Sequence, residues 1–326
     1  MEKTSLFQNR IDLDELNQTV VQIKKEIGKV IIGQEKMIDL LLVSLLAKGH
    51  VLIEGVPGIA KTLTAKLLAK SISADFSRIQ FTPDLMPSDV LGTTVFNMSK
   101  SEFEFNQGPI FSNIVLIDEI NRAPAKTQAA LFEVMQENQV SIDGTTHAMD
   151  EPFWVLATQN PIEQEGTYRL PEAQLDRFMM KINVGYPSFE EEVEILNTKH
   201  EQKGMDELDQ INPLLSILQI KDFRNRIQAL HIDENLRRYI AQIVHNTRNH
   251  PALLLGVSPR ASVAVMMAAK AMAAIQGRDF VTPEDIREIV IPVLHHRIIL
   301  TPEKEMEGIS SEQIIAQIVD NIEIPR

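Results

Sequence analysis

The sequence predicts an α/β domain built on a mostly parallel sheet, followed by an all-α domain. Three observations carry that expectation. Short apolar runs alternate with helical patterns along the first part of the chain, the rhythm of βαβ units. Several of those runs are apolar at consecutive positions, as strands covered by helices on both faces must be. After Tyr186-Pro187-Ser188 the strand signal largely stops and helical periodicity takes over.

Taken in order, Leu16, Val20, Ile23 and Ile27 recur at helical spacing with Lys24, Lys25 and Glu26 between them, which predicts a helix ending at about Gly28. A second helix follows Gly33-Gln34 and carries Met37, Leu40, Leu41 and Leu45. Five strands are expected: His50 to Glu54, Phe76 to Phe81, Ile114 to Ile117, Phe153 to Thr158, and Lys181 to Val184. Two insertions interrupt them. Val90 to Gly108 contains Phe96 and the alternating Glu102-Phe103-Glu104-Phe105, a hairpin pattern. Val140 to Thr145 places Asp143-Gly144 between short strands, a hairpin turn signal. Ser188 with Glu191 resembles a capping box opening a helix through Val193, Ile195 and Leu196. Beyond the polar stretch Glu201 to Asn212, Ser258-Pro259-Arg260 and Thr282-Pro283-Glu284-Asp285 both read as helix starts, an N-cap followed by Pro in the first turn. The chain is expected to divide near Pro187, into residues 1–187 and residues 188–326.

Composition narrows the function classes. The 326 residues carry 32 Lys+Arg against 45 Asp+Glu, a net charge of −13, which argues against a general nucleic-acid binder. Absence of Cys excludes disulfide scaffolds, Cys-based zinc sites and thiol nucleophiles. The eight His residues show no metal-ligand spacing. Met1-Glu2-Lys3 opens no apolar signal segment. The nearest approach to a membrane span, Ala261 to Ile275, is 15 residues long and contains Lys270, too short to cross a bilayer. A soluble, cytoplasmic protein is expected.

The strongest chemical signal is Gly55-Val56-Pro57-Gly58-Ile59-Ala60-Lys61-Thr62, between a strand and the helical pattern that opens at Leu63. A loop that cradles phosphates needs small residues, a helix N-terminus, a Lys for the phosphate oxygens and a hydroxyl for Mg²⁺. All are present, except that Ala60 stands where the usual pattern has Gly. If that position needs φ > 0, Ala60 is strained; if it lies in the helical turn, Ala costs nothing. The second signal is Ile114-Val115-Leu116-Ile117-Asp118-Glu119, an apolar strand ending in two carboxylates. Asp118 suits the Mg²⁺ shell together with Thr62, and Glu119 suits the general base toward water. Either carboxylate alone also fits the start of a solvated loop.

Three further residues stay ambiguous on spacing. Asn160 ends another expected strand, where its amide would orient the attacking water, or where Asn160-Pro161 simply forms a turn. Arg177, in Gln174-Leu175-Asp176-Arg177-Phe178, reads as a surface ion-pair residue. Arg260 sits at a helix N-terminus, where a cation is mildly unfavourable and an anionic partner would help.

With these motifs in hand, the chain resembles an AAA+ ATPase, and within that class the MoxR family, from about Val30 to Leu300. The resemblance rests on Asp118 to Pro124 with Lys126 to Leu131, on Ala157 to Pro161 with Glu165 to Tyr168, on Leu170 to Phe178, and on Ser258 to Ser262. It implies a P-loop core with a five-stranded parallel sheet and a helical lid. It implies ATP and Mg²⁺ as ligands, with Lys61 and Thr62 as the Walker A pair and Asp118 and Glu119 as Walker B. Asn160 matches sensor 1, Arg260 sensor 2, and Arg177 an arginine finger acting on a neighbouring subunit, which reverses the reading from spacing. Ile31, Ile32 and Gly33 lie where the family contacts adenine, and the family tolerates Ala at position 60. The two insertions match hairpins that face the pore or the partner. The resemblance further implies a hexameric ring and chaperone-like action on a protein partner, often one with a von Willebrand factor A domain on a separate chain. A magnesium-chelatase-like motor and a nucleic-acid motor are the alternatives. The second conflicts with the inserts, where Lys100 is outnumbered by Glu102 and Glu104 in one and only Asp143 and Asp150 are charged in the other.

Overall fold

A computed structural model describes residues 11–161, 167, 168, 170–201, 208 and 211–325. The motif residues Glu165 and Gly166 lie outside them. Two compact units emerge: residues 23–38 with 48–217, and residues up to 22 with 39–47 and 218–326.

The α/β unit is organised by a five-stranded sheet in the order Met180–Asn183, Val51–Glu54, Trp154–Gln159, Ile114–Asp118, Phe76–Gln80. Every pairing in it is parallel. The five expected strands are these five, displaced by a residue or so at their ends. Ile114–Asp118 is buried throughout and Trp154–Gln159 is buried up to its last residue. Their unbroken apolar runs follow from cover on both faces. Phe76–Gln80 lies at the edge and is mostly exposed, with Ile79 its buried residue. Phe76, Arg78 and Gln80 therefore share one face. Buried polar groups near the base of the sheet are paired. The Trp154 indole N–H donates to the Gly49 carbonyl at 2.9 Å, and His50 Nδ1 accepts the Val155 N–H at 3.0 Å.

Both insertions are antiparallel hairpins, Gly92–Asn97 with Glu102–Gln107 and Gln139–Ile142 with Thr145–Ala148. Asp143 and Gly144 both have positive φ, 50° and 79°, as a two-residue type I′ turn requires. The Ser188–Glu191 capping box forms as expected: Glu191 Oε2 accepts the Ser188 N–H at 2.6 Å, and Ser188 Oγ accepts the Glu191 N–H at 3.4 Å.

The boundary expected near Pro187 differs from the division by contacts, which falls at 217/218. The reason is local pairing. Leu215–Ser216 adds to Ile72–Ser73 in parallel, and the N–H groups of Leu214 and Leu215 both donate to the Ser71 carbonyl. These bonds tie the segment to the end of the helix Lys61–Lys70.

The second unit is helical, with a short antiparallel ladder between Leu253–Leu255 and Ile299–Leu300. Pro259–Ile275 buries Ala261, Ala264, Ala268, Ala269, Ala271, Ala273 and Ala274, small side chains that let a neighbouring helix approach closely. Ser258 and Thr282 occupy the N-cap positions read from the sequence. At the second, Asp285 is 1% exposed and accepts from Thr282 N (2.8 Å), Arg278 Nη1 (2.7 Å) and Arg278 Nη2 (2.5 Å). One carboxylate thus caps a helix and neutralises a bidentate guanidinium. Asp285→Ala removes the cap and strands the Arg278 charge. It is expected to destabilise the helical unit by about 3 kcal/mol, read as a lowered urea midpoint by circular dichroism.

Candidate functional site

Strand order decides where chemistry is possible. In an open parallel sheet, ligands sit beyond the carboxyl ends of the strands. Register brings Glu54 opposite Gln159, and Gln80 opposite Asp118. A cavity of roughly 570 Å³ opens at these ends, lined by the loop Pro57 to Leu63, by Asp118, Glu119, Thr158, Gln159 and Asn160, and by Arg78 and Gln80. Val30, Ile31, Ile32, Gln34, Pro187, Ile195 and Lys199 complete its wall.

The phosphate-binding loop is built by local backbone requirements. At Gly55 a Cβ would lie 2.6 Å from the Val184 carbonyl oxygen, and Gly58 has φ of 87°. Ala60 has φ 62° and ψ 17°, so the structure selects the strained alternative left open by the sequence. Its carbonyl accepts the Thr64 N–H at 2.8 Å and starts the helix Lys61–Lys70. The first-turn N–H groups of such a helix have no intrahelical acceptor and favour an anion. The Lys61 ammonium donates to the Gly55 carbonyl, and to those of Val56 and Gln159, both at 3.2 Å. It is therefore held across the loop mouth by carbonyl oxygens, with which phosphate oxygens would compete for the ammonium.

Asp118 is 3% exposed and both its carboxylate oxygens are engaged. Oδ1 accepts the hydroxyls of Thr62 (2.9 Å) and Thr158 (3.1 Å), and Oδ2 accepts Arg78 Nε at 2.6 Å. Glu119 turns out of the strand with φ 58° and ψ 52°, a conformation that costs a non-glycine residue roughly 1–2 kcal/mol. Its N–H donates to Thr158 Oγ1 at 3.1 Å. Glu119 Oε2 accepts Gln80 Nε2 at 2.8 Å and pairs with Arg122 at 3.2 Å. Asn160 is buried, and its carbonyl takes the Asn121 amide at 3.5 Å.

Donor chemistry fits Mg²⁺. Asp118 and Thr62 offer hard oxygens beside a phosphate loop, as that ion takes when it arrives with phosphates rather than in an all-protein cage. No group of three or more His, Cys, Asp or Glu residues that could hold a metal ion by itself occurs among the described residues.

The other expected residues divide. Ile32 lines the cavity, whereas Gly33 is not among its lining residues. Gly33 has φ of 75°, and a Cβ there would meet the Glu191 carboxyl group within 2.5–2.9 Å. The Ser188 N–H, then its hydroxyl, hold that carboxyl below the usual range. Arg177 does not line the cavity; its guanidinium donates to the Gln136 side-chain oxygen, and its buried Nε has no partner among the described residues. Arg260 is exposed in the first turn of Pro259–Ile275, in the helical unit. Sequence reasoning missed Arg78, Gln80, Thr158 and Arg122. Period-two spacing of Arg78 and Gln80 places them on one face of their strand, but only register shows that this face ends at Asp118.

A parallel sheet in this order, with a phosphate loop after one strand and paired carboxylates after another, defines an AAA+ nucleotide-binding core. Comparison agrees: residues 50–180 match the ATPase family associated with various cellular activities (AAA), and residues 245–318 match the AAA lid domain. Chaperone MoxR1 of Mycobacterium tuberculosis is 44% identical over 92% of this chain and 81% of its own length. The uncharacterized protein YeaC of Bacillus subtilis is 46% identical over 96% of this chain and 97% of its own. A crystal structure from Cytophaga hutchinsonii, whose name offers ATPase as a candidate activity, superposes with a TM-score of 0.87 at 46% identity, covering 96% of this chain and 97% of that one. The chain belongs to the MoxR family of AAA+ ATPases.

Ala60→Gly relieves about 1–2 kcal/mol of left-handed strain against roughly 0.5–1 kcal/mol of added backbone entropy. A net gain of up to about 1.5 kcal/mol is expected, measurable as a raised thermal midpoint of the nucleotide-free protein.

Proposed function

We propose that this cavity hydrolyses ATP with Mg²⁺ and that hydrolysis drives remodelling or maturation of a protein partner. The observation that carries the reading is the contact between Thr62 and Asp118, with Glu119 at the mouth of the same cavity. Lys61 and the first turn of its helix would hold the β- and γ-phosphates, and Ile31, Ile32 and Ile195 would offer an apolar wall to the base. Thr62 and Asp118 would hold Mg²⁺, which supplies charge neutralisation on the phosphate oxygens. Glu119 would accept a proton from water as its oxygen bonds the γ-phosphorus and the bond to the β-phosphate oxygen breaks. Asn160 would orient that water.

Arg177 is assigned to a neighbouring subunit's site, a reading supported by its position outside the cavity of its own chain. That assignment requires an oligomer, and the resemblance makes it a hexameric ring. Arg260 is assigned to the phosphates of the nucleotide as sensor 2. A protein client rather than nucleic acid is supported by the first hairpin. Met98 is 87% and Phe103 73% exposed there, and Lys100 is paired with Glu104 at 2.5 Å. Such a tip offers apolar contact area and no spare cation for phosphates. Among the described residues no helix is long and apolar enough to cross a membrane.

Glu119→Gln is expected to keep ATP affinity within about threefold while lowering turnover by about 10²–10⁴-fold, measured by fluorescent-nucleotide titration and phosphate release. Arg177→Ala is expected to lower turnover by about 10³-fold. Mixing Arg177→Ala with Glu119→Gln subunits should restore part of the activity, because some interfaces then join an intact base to an intact finger. Failure of mixed assemblies to exceed either parent would refute action in trans.

A further inference from the structure

One group lining the cavity has no part in the chemistry above, the Arg78 guanidinium. Asp118 is nearly inaccessible to water, and a buried carboxylate needs a compensating charge. Of the three groups described on its two oxygens, the hydroxyls of Thr62 and Thr158 are neutral and Arg78 is the cation. The contact is short, 2.6 Å from Nε to Oδ2, yet the Arg78 side chain is 44% exposed and lies on the edge strand. It thus reaches the buried carboxylate from a solvated side and retains room to withdraw. Its Nη2 also donates to Gln80 Oε1 at 3.1 Å.

The proposed reading gives the same carboxylate to Mg²⁺. A guanidinium cannot ligate a metal, carries the same sign of charge, and already occupies Oδ2. Both cations would draw on the one negative charge of Asp118. We propose that Arg78 is the resident counter-ion of Asp118 in the metal-free chain and competes with the divalent cation for its charge, so that pairing at Oδ2 weakens Asp118 as a metal ligand. Arg78 is then a positioning residue that sets how strongly nucleotide binding depends on metal. This inference rests on the assignment of Asp118 to Mg²⁺ and extends it to a residue outside the family motifs.

The test uses a fluorescent, non-hydrolysable ATP analogue, titrated into the full chain in excess Mg²⁺ and again in EDTA. The ratio of the two dissociation constants measures the advantage that metal confers. In Arg78→Met no guanidinium shares the Asp118 charge with the metal, and in EDTA an unpaired carboxylate faces the triphosphate. Both effects raise the ratio, by about tenfold over wild type. Arg78→Lys, which restores a cation, should return the ratio toward wild type. Arg78→Gln keeps a donor without the charge, should reproduce the increase, and replaces the Met variant if that one does not fold. An unchanged or smaller ratio in the uncharged variants overturns the competition. Asp118→Asn separates the two layers. If wild type shows a metal advantage that Asp118→Asn abolishes while Arg78→Met leaves it unaltered, the Arg78 inference alone fails. If wild type shows no advantage, the metal assignment fails and the inference with it.

Discussion

The α/β unit is arranged around one buried negative charge. Asp118 ends the most deeply buried strand of the sheet, where an ionised carboxylate is costly unless every oxygen is engaged. Its partners come from three separate elements: Thr62 from the helix after the phosphate loop, Thr158 from the adjacent strand, and Arg78 from the edge strand on the other side. Satisfying that carboxylate fixes the loop, the base-bearing turn and the sheet edge relative to one another. Thr158 extends the constraint, since its hydroxyl also accepts the Glu119 N–H. Positioning of the proposed metal carboxylate and of the proposed base is therefore one structural problem.

Some of the backbone strain lies at the same place. Ala60 and Glu119 each hold a left-handed backbone conformation at the carboxyl end of the sheet, and each costs about 1–2 kcal/mol relative to an ordinary conformation. The flanking buried strands and the helix that starts at Lys61 hold these residues in place. What the strain produces is geometric. Ala60 turns the chain so that a helix N-terminus faces the cavity, and Glu119 turns out of the strand line so that consecutive carboxylates take different partners.

Much of this was legible along the chain. Consecutive apolar runs gave the five strands because burial on both faces leaves little choice of residue. Asp143-Gly144 gave its hairpin because few residues accept positive φ at both central positions of the turn. Pro in the first turn gave two helix starts, for an equally local reason. Arg78 and Gln80 were invisible, because an exposed Arg and Gln on a strand are ordinary until the neighbouring strand's register is known. The division at 217/218 was equally hidden, since it depends on a two-residue strand pairing with a segment more than a hundred positions away.

The sequence alone determined the element types, the phosphate loop and the two carboxylates, because backbone conformation and strand burial act through residues adjacent in the chain. Tertiary structure alone decided that Ala60 is left-handed, that Asp118 is shared by three elements, that Arg78 stands on the carboxylate proposed for metal, and that Arg177 lies outside its own chain's cavity. The second and third of these depend on parallel register and strand order. Register joins residues distant along the chain, and no local pattern records which of them will face each other across a sheet.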